Sequence, residues 1–278
     1  MLNDMYTLCM TLCIAFNCSQ PLPPTAAQGL PLHSHNDYWR RAPLLEALEA
    51  GCISIEADVF AGDGKLMVAH DRKKIRKENT LTAMYLEPLA MIVRDRGRIY
   101  PRDPRPVILM IDIKSSWDET HPVLSEVLKP FHDVIHAPGG TYTGDGGIII
   151  ATSGAGSGQK RIANGISAVD GRPNDFGKGI SHKKMPVVSL SYRSYFSWSI
   201  KEPLPEDQLQ KLKSLAQKSR EEGKLLRLWG APDVPATWDL LLTHGVGLIN
   251  TDQPKTAAKH VSAYIKNKSS HSEEDTSP

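Results

Sequence analysis

Cysteine is scarce in this chain and badly placed for cross-linking. Of the four in 278 residues, Cys9, Cys13 and Cys18 lie in the first eighteen positions and only Cys52 follows. Without that leading stretch no internal disulfide is possible. Cys52, between Gly51 and Ile53, reads as a small buried hydrophobe rather than a nucleophile. A charge of one sign is lacking as well. The 33 Lys and Arg against 31 Asp and Glu leave a net +2, which does not call for nucleic acid as a partner. The basic clusters Arg72-Lys73-Lys74 and His182-Lys183-Lys184 are short and read as solvated faces. Long apolar runs are absent too: Met5 to Cys18 is too short to span a bilayer as a helix. No internal repeat and no linker interrupts residues 30–266.

What is present begins with a leader. The Met5–Cys18 run, a proline-containing polar stretch and Thr25-Ala26-Ala27, an A-x-A-like cleavage site, together predict a signal peptide over residues 1–27 and a secreted or secretory-pathway protein. Asp4, and the lack of Lys or Arg before the run, depart from that pattern and keep a mitochondrial or membrane-associated destination as the alternative. One domain is expected over residues 28–266. The polar residues 267–278 have no apolar periodicity and are expected to be a disordered tail; Asn267-Lys268-Ser269 in it is a glycosylation sequon.

Between these ends strands alternate with helices. Apolar runs bounded by glycine, proline or acids fall at Leu30–His35, Ser54–Val59, Leu66–His70, Val107–Lys114, Gly147–Thr152, Val187–Ser191, Leu225–Trp229 and Gly247–Thr251. Helical spacing occurs at Ala42–Ala50, Thr80–Arg94, Pro122–Ile135, Glu206–Glu222 and Trp238–Thr243, with Pro122 read in a first turn. Continuous apolar strands separated by helices argue a parallel sheet covered by helices. About eight such units predict an α/β fold of the (β/α)8 TIM-barrel type rather than an open sheet.

Polar residues cluster at the C-terminal ends of these runs: His35, Glu56 and Asp58, Asp112 and Lys114, Ser189 and Ser191, Trp229, and Asn250 and Asp252. In a barrel those ends converge on one mouth, where active sites are built. Glu56 and Asp58, at i and i+2, project from one face of an apolar strand and would repel each other unless a cation or a basic partner lay between them. On that reading, removing the Glu56 charge would relieve repulsion in the empty site. Asp112-Ile113-Lys114 places an acid and a base on one face of a buried strand. Trp229 is read either as lining a lipid or glycerol pocket or as a core residue. The glycine-rich 154–158 stretch lacks the spacing of a phosphate-binding Walker loop and is read as a mouth loop.

These motifs, HSHNDYWRRAPLLEAL, GCISIEADV, VAHD, LMIDIK, LRLWGAP and GVGLINTDQP, resemble the phospholipase C-like phosphodiesterase superfamily. Within it they sit near the glycerophosphodiester phosphodiesterase and sphingomyelinase D branches, and nearest the fungal group named for altered inheritance of mitochondria protein six. The resemblance covers about residues 30–258. It implies a barrel that acts as a phosphoric diester hydrolase on a small phosphodiester or lipid substrate; transient contact at a membrane surface and a monomeric state are expected beside it. It further implies His35 and His70 as the catalytic acid and base, Glu56, Asp58 and Asp112 as metal ligands, and Lys114 as a phosphate contact. Three carboxylates suit Mg²⁺ or Ca²⁺ better than Zn²⁺. Two departures bear on the substrate: the usual His-Arg-Gly is His35-Asn36-Asp37 here, and the Glu-Asn-Thr expected after the first histidine is missing.

His33 opens rival readings. His33-Ser34-His35 is a His-x-His on a first strand, as in amidohydrolase-type or PHP-type metal hydrolases, but the candidates for its further metal histidines fail: His121, His132, His136 and His244 sit in predicted helices or their edges, and His182 in a lysine-rich loop. Strand alternation places His33 on the face of His35, which suggests a substrate or supporting role. A catalytically inactive binding barrel is the remaining alternative, and it gives no reason for two histidines, three acids and a lysine to coexist.

Overall fold

The computed structural model describes residues 25–138, 147–156, 158–198 and 202–274. The leader run Met5–Cys18 lies outside these residues.

Eight parallel strands form the barrel wall: β1 (Leu30–Ser34), β2 (Cys52–Gly62), β4 (Val107–Ile113), β5 (Ile148–Gly154), β6 (Ala168–Gly171), β7 (Val187–Ser191), β8 (Leu225–Trp229) and β9 (Ile249–Thr251). They are ordered β8-β7-β6-β5-β4-β2-β1-β9. A parallel bridge between Arg227 and Leu248, with Leu248 N–H donating to the Leu226 carbonyl at 2.9 Å, closes β9 onto β8. The first nine residues of β2 and five of the first six of β4 are buried, including those that point outward. Strands packed on both faces must be apolar throughout, and this is why the runs show no alternation.

Strand number matches the expectation, but the strand list differs in two places. Leu66–His70 is not a wall strand. Its ordered part, β3 (Lys65–Val68), pairs antiparallel with the far end of β2, from Val59↔Val68 to Gly62↔Lys65. The connection Asp63-Gly64 places both residues at positive φ, 49° and 69°, as a tight hairpin requires. The missing wall strand is β6, whose four residues Ala-Val-Asp-Gly are too short and too polar to stand out.

Helices pack outside: α1 (Leu45–Glu49), α2 (Glu87–Arg96), α3 (Trp117–Leu128), α4 (Gly158–Asn164), α5 (Tyr192–Tyr195), α6 (Glu206–Glu221), α7 (Pro235–Thr243) and α8 (Pro254–Glu274). Helix α3 begins five residues before Pro122, so that proline sits inside it rather than in its first turn. A capping box sets this start: the Ser116 hydroxyl accepts from Glu119 N–H at 3.2 Å and the Glu119 carboxylate accepts from Ser116 N–H at 3.4 Å, satisfying donors that the first turn leaves over. Helix α8 runs to Glu274, so the expected disordered tail is helical as far as that residue. No glycine or proline interrupts 255–274. Among the described residues no helix is long and apolar enough to cross a membrane.

Candidate active site

Parallel register aligns the acids. Asp58 of β2 lies beside Asp112 of β4, and Asp112 beside Ser153 of β5. Glu56 sits two residues deeper on β2, so all three carboxylates reach the same mouth. One ligand oxygen from each of Glu56, Asp58 and Asp112 lies within 4.8 Å of the others.

Each carboxylate has one oxygen engaged by protein. Glu56 Oε2 receives the Arg227 guanidinium at 2.5 Å and meets His33 Nε2 at 2.7 Å. Asp58 Oδ2 lies 2.7 Å from the Tyr38 hydroxyl, 2.9 Å from His70 Nδ1 and 3.0 Å from Lys114 Nζ. Asp112 Oδ2 takes Lys114 Nζ at 2.5 Å. The second oxygens are left over, and Asp58 Oδ1 is buried with no hydrogen-bond partner. An orphaned buried carboxylate oxygen beside two other acids is costly unless something positive fills the gap. The residues therefore fit a divalent cation.

Electrostatics separate the acids. Burial alone would raise the Glu56 pKa, but the Arg227 guanidinium, with His33 behind it, holds the carboxyl well below its ordinary range. Burial pushes Asp112 up despite Lys114, and the neighbouring Glu56 and Asp58 charges push it further. For Lys114, burial lowers the pKa but contact with Asp112 and Asp58 outweighs it, so the amine stays charged. The expected acid–acid repulsion is thus answered largely by Arg227 and Lys114, and the sequence-based expectation that losing Glu56 would relieve strain does not hold. It would strand a buried guanidinium.

Histidines at the mouth are each anchored through Nδ1. His35 lies one residue beyond β1, its N–H donating to the Thr251 carbonyl, with Nδ1 2.9 Å from Asp252 Oδ1. The backbone turns sharply after it because Asn36 is left-handed (φ 47°, ψ 48°), a conformation asparagine tolerates better than most residues. The Asp37 carboxylate is spent on the fold: it accepts from Leu44 N–H at 2.5 Å, the Ser34 hydroxyl at 2.7 Å and the Tyr85 hydroxyl at 3.0 Å. His70 arrives by the hairpin. Ala69 N–H donates to the Asp58 carbonyl at 3.1 Å, which sets His70 Nδ1 against the Asp58 carboxylate. Both rings line the cavity, and His35 Nε2 lies 3.3 Å from the Asn36 side-chain amide.

His33 corrects a sequence-based assignment. It is fully buried, does not line the cavity, and spans Ser54 Oγ at 2.8 Å and Glu56. It therefore backs Glu56 from behind the cavity wall, the supporting one of the two roles left open for it. With both of its ring nitrogens engaged by Ser54 and Glu56, His33 has none free to ligate a metal alongside His35, and the carboxylate cluster contains no histidine.

Burial lowers the His33 pKa from 6.5 to about 4, with Arg227 adding to the effect. The unfolded chain binds a proton near 6.5 that the folded one refuses, so this contribution to stability is complete above about pH 6.5 and is lost as pH falls toward 4. The full effect is on the order of 3 kcal/mol. In EDTA, the urea midpoint should fall steeply between pH 6.5 and 4.5, and His33→Gln should flatten that slope. An unchanged slope in the variant would remove His33 as its source.

A cavity of about 370 Å³ is lined by His35, His70, Glu56, Asp112, Lys114 and Arg227, with Ser153, Asp170, Arg172 and Trp229 on its farther wall. Trp229 is 43% exposed, which places it at the pocket rather than in the core. Gly154 carries φ 78°, and a Cβ there would come within 2.5 Å of Asp112 Oδ1, so only glycine leaves that carboxylate its place. The loop after it is no phosphate cradle: the carbonyls of Gly154, Ala155 and Gly156 converge on the Arg161 guanidinium. A second cavity of about 420 Å³, lined by Tyr192, Phe196, Trp198 and Pro232, shares Gly230 with the first.

Sequence reasoning gave no role to Arg227, Tyr38, Asp252 or Arg172. Arg227 had a signal: it is the one charged residue in Leu225–Trp229, on the same face as Trp229. Tyr38 had none, because its reach to Asp58 depends on the turn at Asn36.

The structure is thus a parallel barrel with acids, histidines and a lysine at one mouth. A crystal structure of a glycerophosphodiester phosphodiesterase from Parabacteroides distasonis shares the fold, with a TM-score of 0.52 over 87% of this chain and all of that one, at 12% identity. Residues 25–164 match the AIM6-like phosphodiesterase domain, and the chain belongs to that family. It is 27% identical over 264 residues to an altered inheritance of mitochondria protein 6 homolog of Arthroderma benhamiae, covering 82% of each. To the protein of that name from Eremothecium gossypii it is 26% identical over 273 residues, covering 82% of this chain and 68% of that one. The matched domain carries both histidines, the three acids and Lys114, whereas Arg172, Arg227, Trp229 and Asp252 lie beyond it.

Proposed function

We propose that the chain is a metal-dependent phosphoric diester hydrolase acting on a glycerophosphodiester or phospholipid-type substrate. The observation that carries this reading is the set of three carboxylates that bring one oxygen each within 4.8 Å of the others, with Asp58 Oδ1 buried among them and without a hydrogen-bond partner. Glu56, Asp58 and Asp112 would hold Mg²⁺ or Ca²⁺. Bound there, the cation supplies positive charge against the phosphoryl oxygens.

The residues divide the remaining work. Lys114 holds a non-bridging oxygen of the diester and stabilises charge that builds on it. Asp252 on His35 Nδ1 and Asp58 on His70 Nδ1 each fix a tautomer with Nε2 unprotonated in the neutral ring. One Nε2 takes the proton of the attacking hydroxyl and the other, protonated, gives one to the leaving oxygen. Trp229 and the adjoining aromatic cavity fit an apolar or glycerol-like portion of the substrate.

Glu56 bears on which metal binds. With Oε2 taken by Arg227 and His33, it offers one oxygen and not a chelating pair. A six-coordinate ion that takes single oxygens suits this better than one that favours bidentate carboxylates, so Mg²⁺ is the better fit.

Metal removal tests the reading. With a panel of glycerophosphodiesters, lysophospholipids and sphingomyelin, EDTA should abolish hydrolysis and Mg²⁺ should restore it. Asp58→Asn should neither hydrolyse nor show metal-dependent thermal stabilisation. Full activity in EDTA would overturn the cation site.

A further inference from the structure

Two tryptophans of this chain stand in solvent, and both stand on the catalytic rim. Trp39 is 53% exposed and Trp229 43%. Trp39 ends the turn after His35 and lies edge-on to the His70 ring, with centroids 5.1 Å apart. The other large exposed apolar residues, Met91 and Ile265, sit on outer helices. A large aromatic ring gains nothing from water, and paired ones beside a pocket mark a contact surface.

The exposed charged residues that follow Trp39 and His70 along the chain are mostly basic. Arg41 follows it, and the loop that leaves His70 presents Arg72, Lys73, Lys74, Arg76 and Lys77, all exposed. The acids in that loop are Asp71, 3.7 Å from Lys74, and Glu78, so the five basic residues outnumber them. Arg72 lies over the Phe60 ring at 5.1 Å, which fixes the loop against the hairpin. Arg40 pairs with Asp252 at 3.5 Å and belongs to the pocket. The chain as a whole is nearly neutral at +2, so this excess is local to one edge of the mouth.

We propose that this edge docks on an anionic lipid bilayer, with Trp39 seated in the headgroup layer and the 72–77 loop on the lipid charge, so that the pocket opens toward the membrane. Tryptophan beside lysine and arginine is the combination that interfaces select: the ring takes the boundary and the cations take the anionic surface. The inference deepens the lipid-substrate reading but does not depend on turnover, because bilayer binding is measured whether or not any diester is cleaved.

Co-sedimentation of the full chain with vesicles tests it, using phosphatidylcholine alone and phosphatidylcholine with phosphatidylserine. Binding should be strong to the anionic vesicles, weak to the neutral ones, and reduced by salt. Each basic residue near an anionic surface is worth about five-fold in partitioning, so K73E/K74E should lower it by well over ten-fold. That variant should leave hydrolysis of a water-soluble diester unchanged. Brominated lipid should quench tryptophan fluorescence in the wild type, and Trp39→Phe should lose most of that quenching. Equal binding to neutral and anionic vesicles, unaltered binding by K73E/K74E, or unaltered quenching in Trp39→Phe would each overturn the proposal. Capture by duplex DNA at concentrations that match the vesicle affinity would assign the basic edge to nucleic acid instead.

Discussion

His35→Ala and His70→Ala should each lower diester hydrolysis by about 10²–10⁴-fold, the usual loss for a general acid or base. Neither change should unfold the protein, because both rings are at the mouth and partly exposed, 26% for the His35 side chain and 41% for His70. The two variants should separate on substrates with good leaving groups. Such groups depart without a proton, so one variant recovers and the other does not, and the one that recovers has lost the acid. His33→Ala should behave differently from both. It removes a buried partner of Glu56, so it should weaken metal binding by about 10–100-fold and lower stability. Wild-type rates in His35→Ala would sink the two-histidine assignment.

Arg227→Met should be the most destabilising change in the site. The guanidinium is 4% exposed and is enclosed by Glu56, by Asn250 Oδ1 at 2.9 Å and by Met110 Sδ at 3.2 Å. Methionine fills a similar volume but leaves the Glu56 carboxylate buried opposite nothing but a neutral His33. Breaking such a pair from one side typically costs about 3–5 kcal/mol. Glu56→Gln should also destabilise by stranding Arg227, whereas Arg227→Met/Glu56→Gln together should recover much of the loss, since no lone charge then remains. Activity should not return with stability, because the metal ligand is still missing. Denaturant titration of the four proteins in EDTA gives the coupling directly. Additive losses would mean that the two side chains are independent and that the buried pair is not what holds the centre of the barrel.

Much of this was legible in the sequence where one residue's surroundings come from its own segment. Strand β7 and strand β8 fall where their apolar runs fall, because a strand buried on both faces has no other way to read. Glu56 and Asp58 share a face by strand geometry alone. What stayed hidden depends on distant segments or on turns. β6 is four residues long and draws its stability from its neighbours. β3 reads as a further wall strand, since an apolar run does not announce the direction in which it pairs. His33 and His35 look equivalent by alternation, yet β1 ends between them and sends the second ring over the lip. The partnership of Arg227 with Glu56 spans 171 residues and closes the barrel across its interior.

The hairpin that carries His70 has a consequence for how this chemistry can change over time. Seven of the strands feeding the mouth are structural members whose alteration disturbs the wall, and β2 is the eighth. β3 and the loop beyond it are an appendage. They contribute one of the two histidines at the mouth, and with it the basic edge around Trp39, from a piece of chain that the wall does not require. Insertions, deletions or exchanges there can retune both the position of His70 and the surface presented to the surroundings while the three carboxylates stay as they are. Variation among relatives should therefore accumulate in residues 60–80 sooner than in the strands that hold Glu56, Asp58 and Asp112.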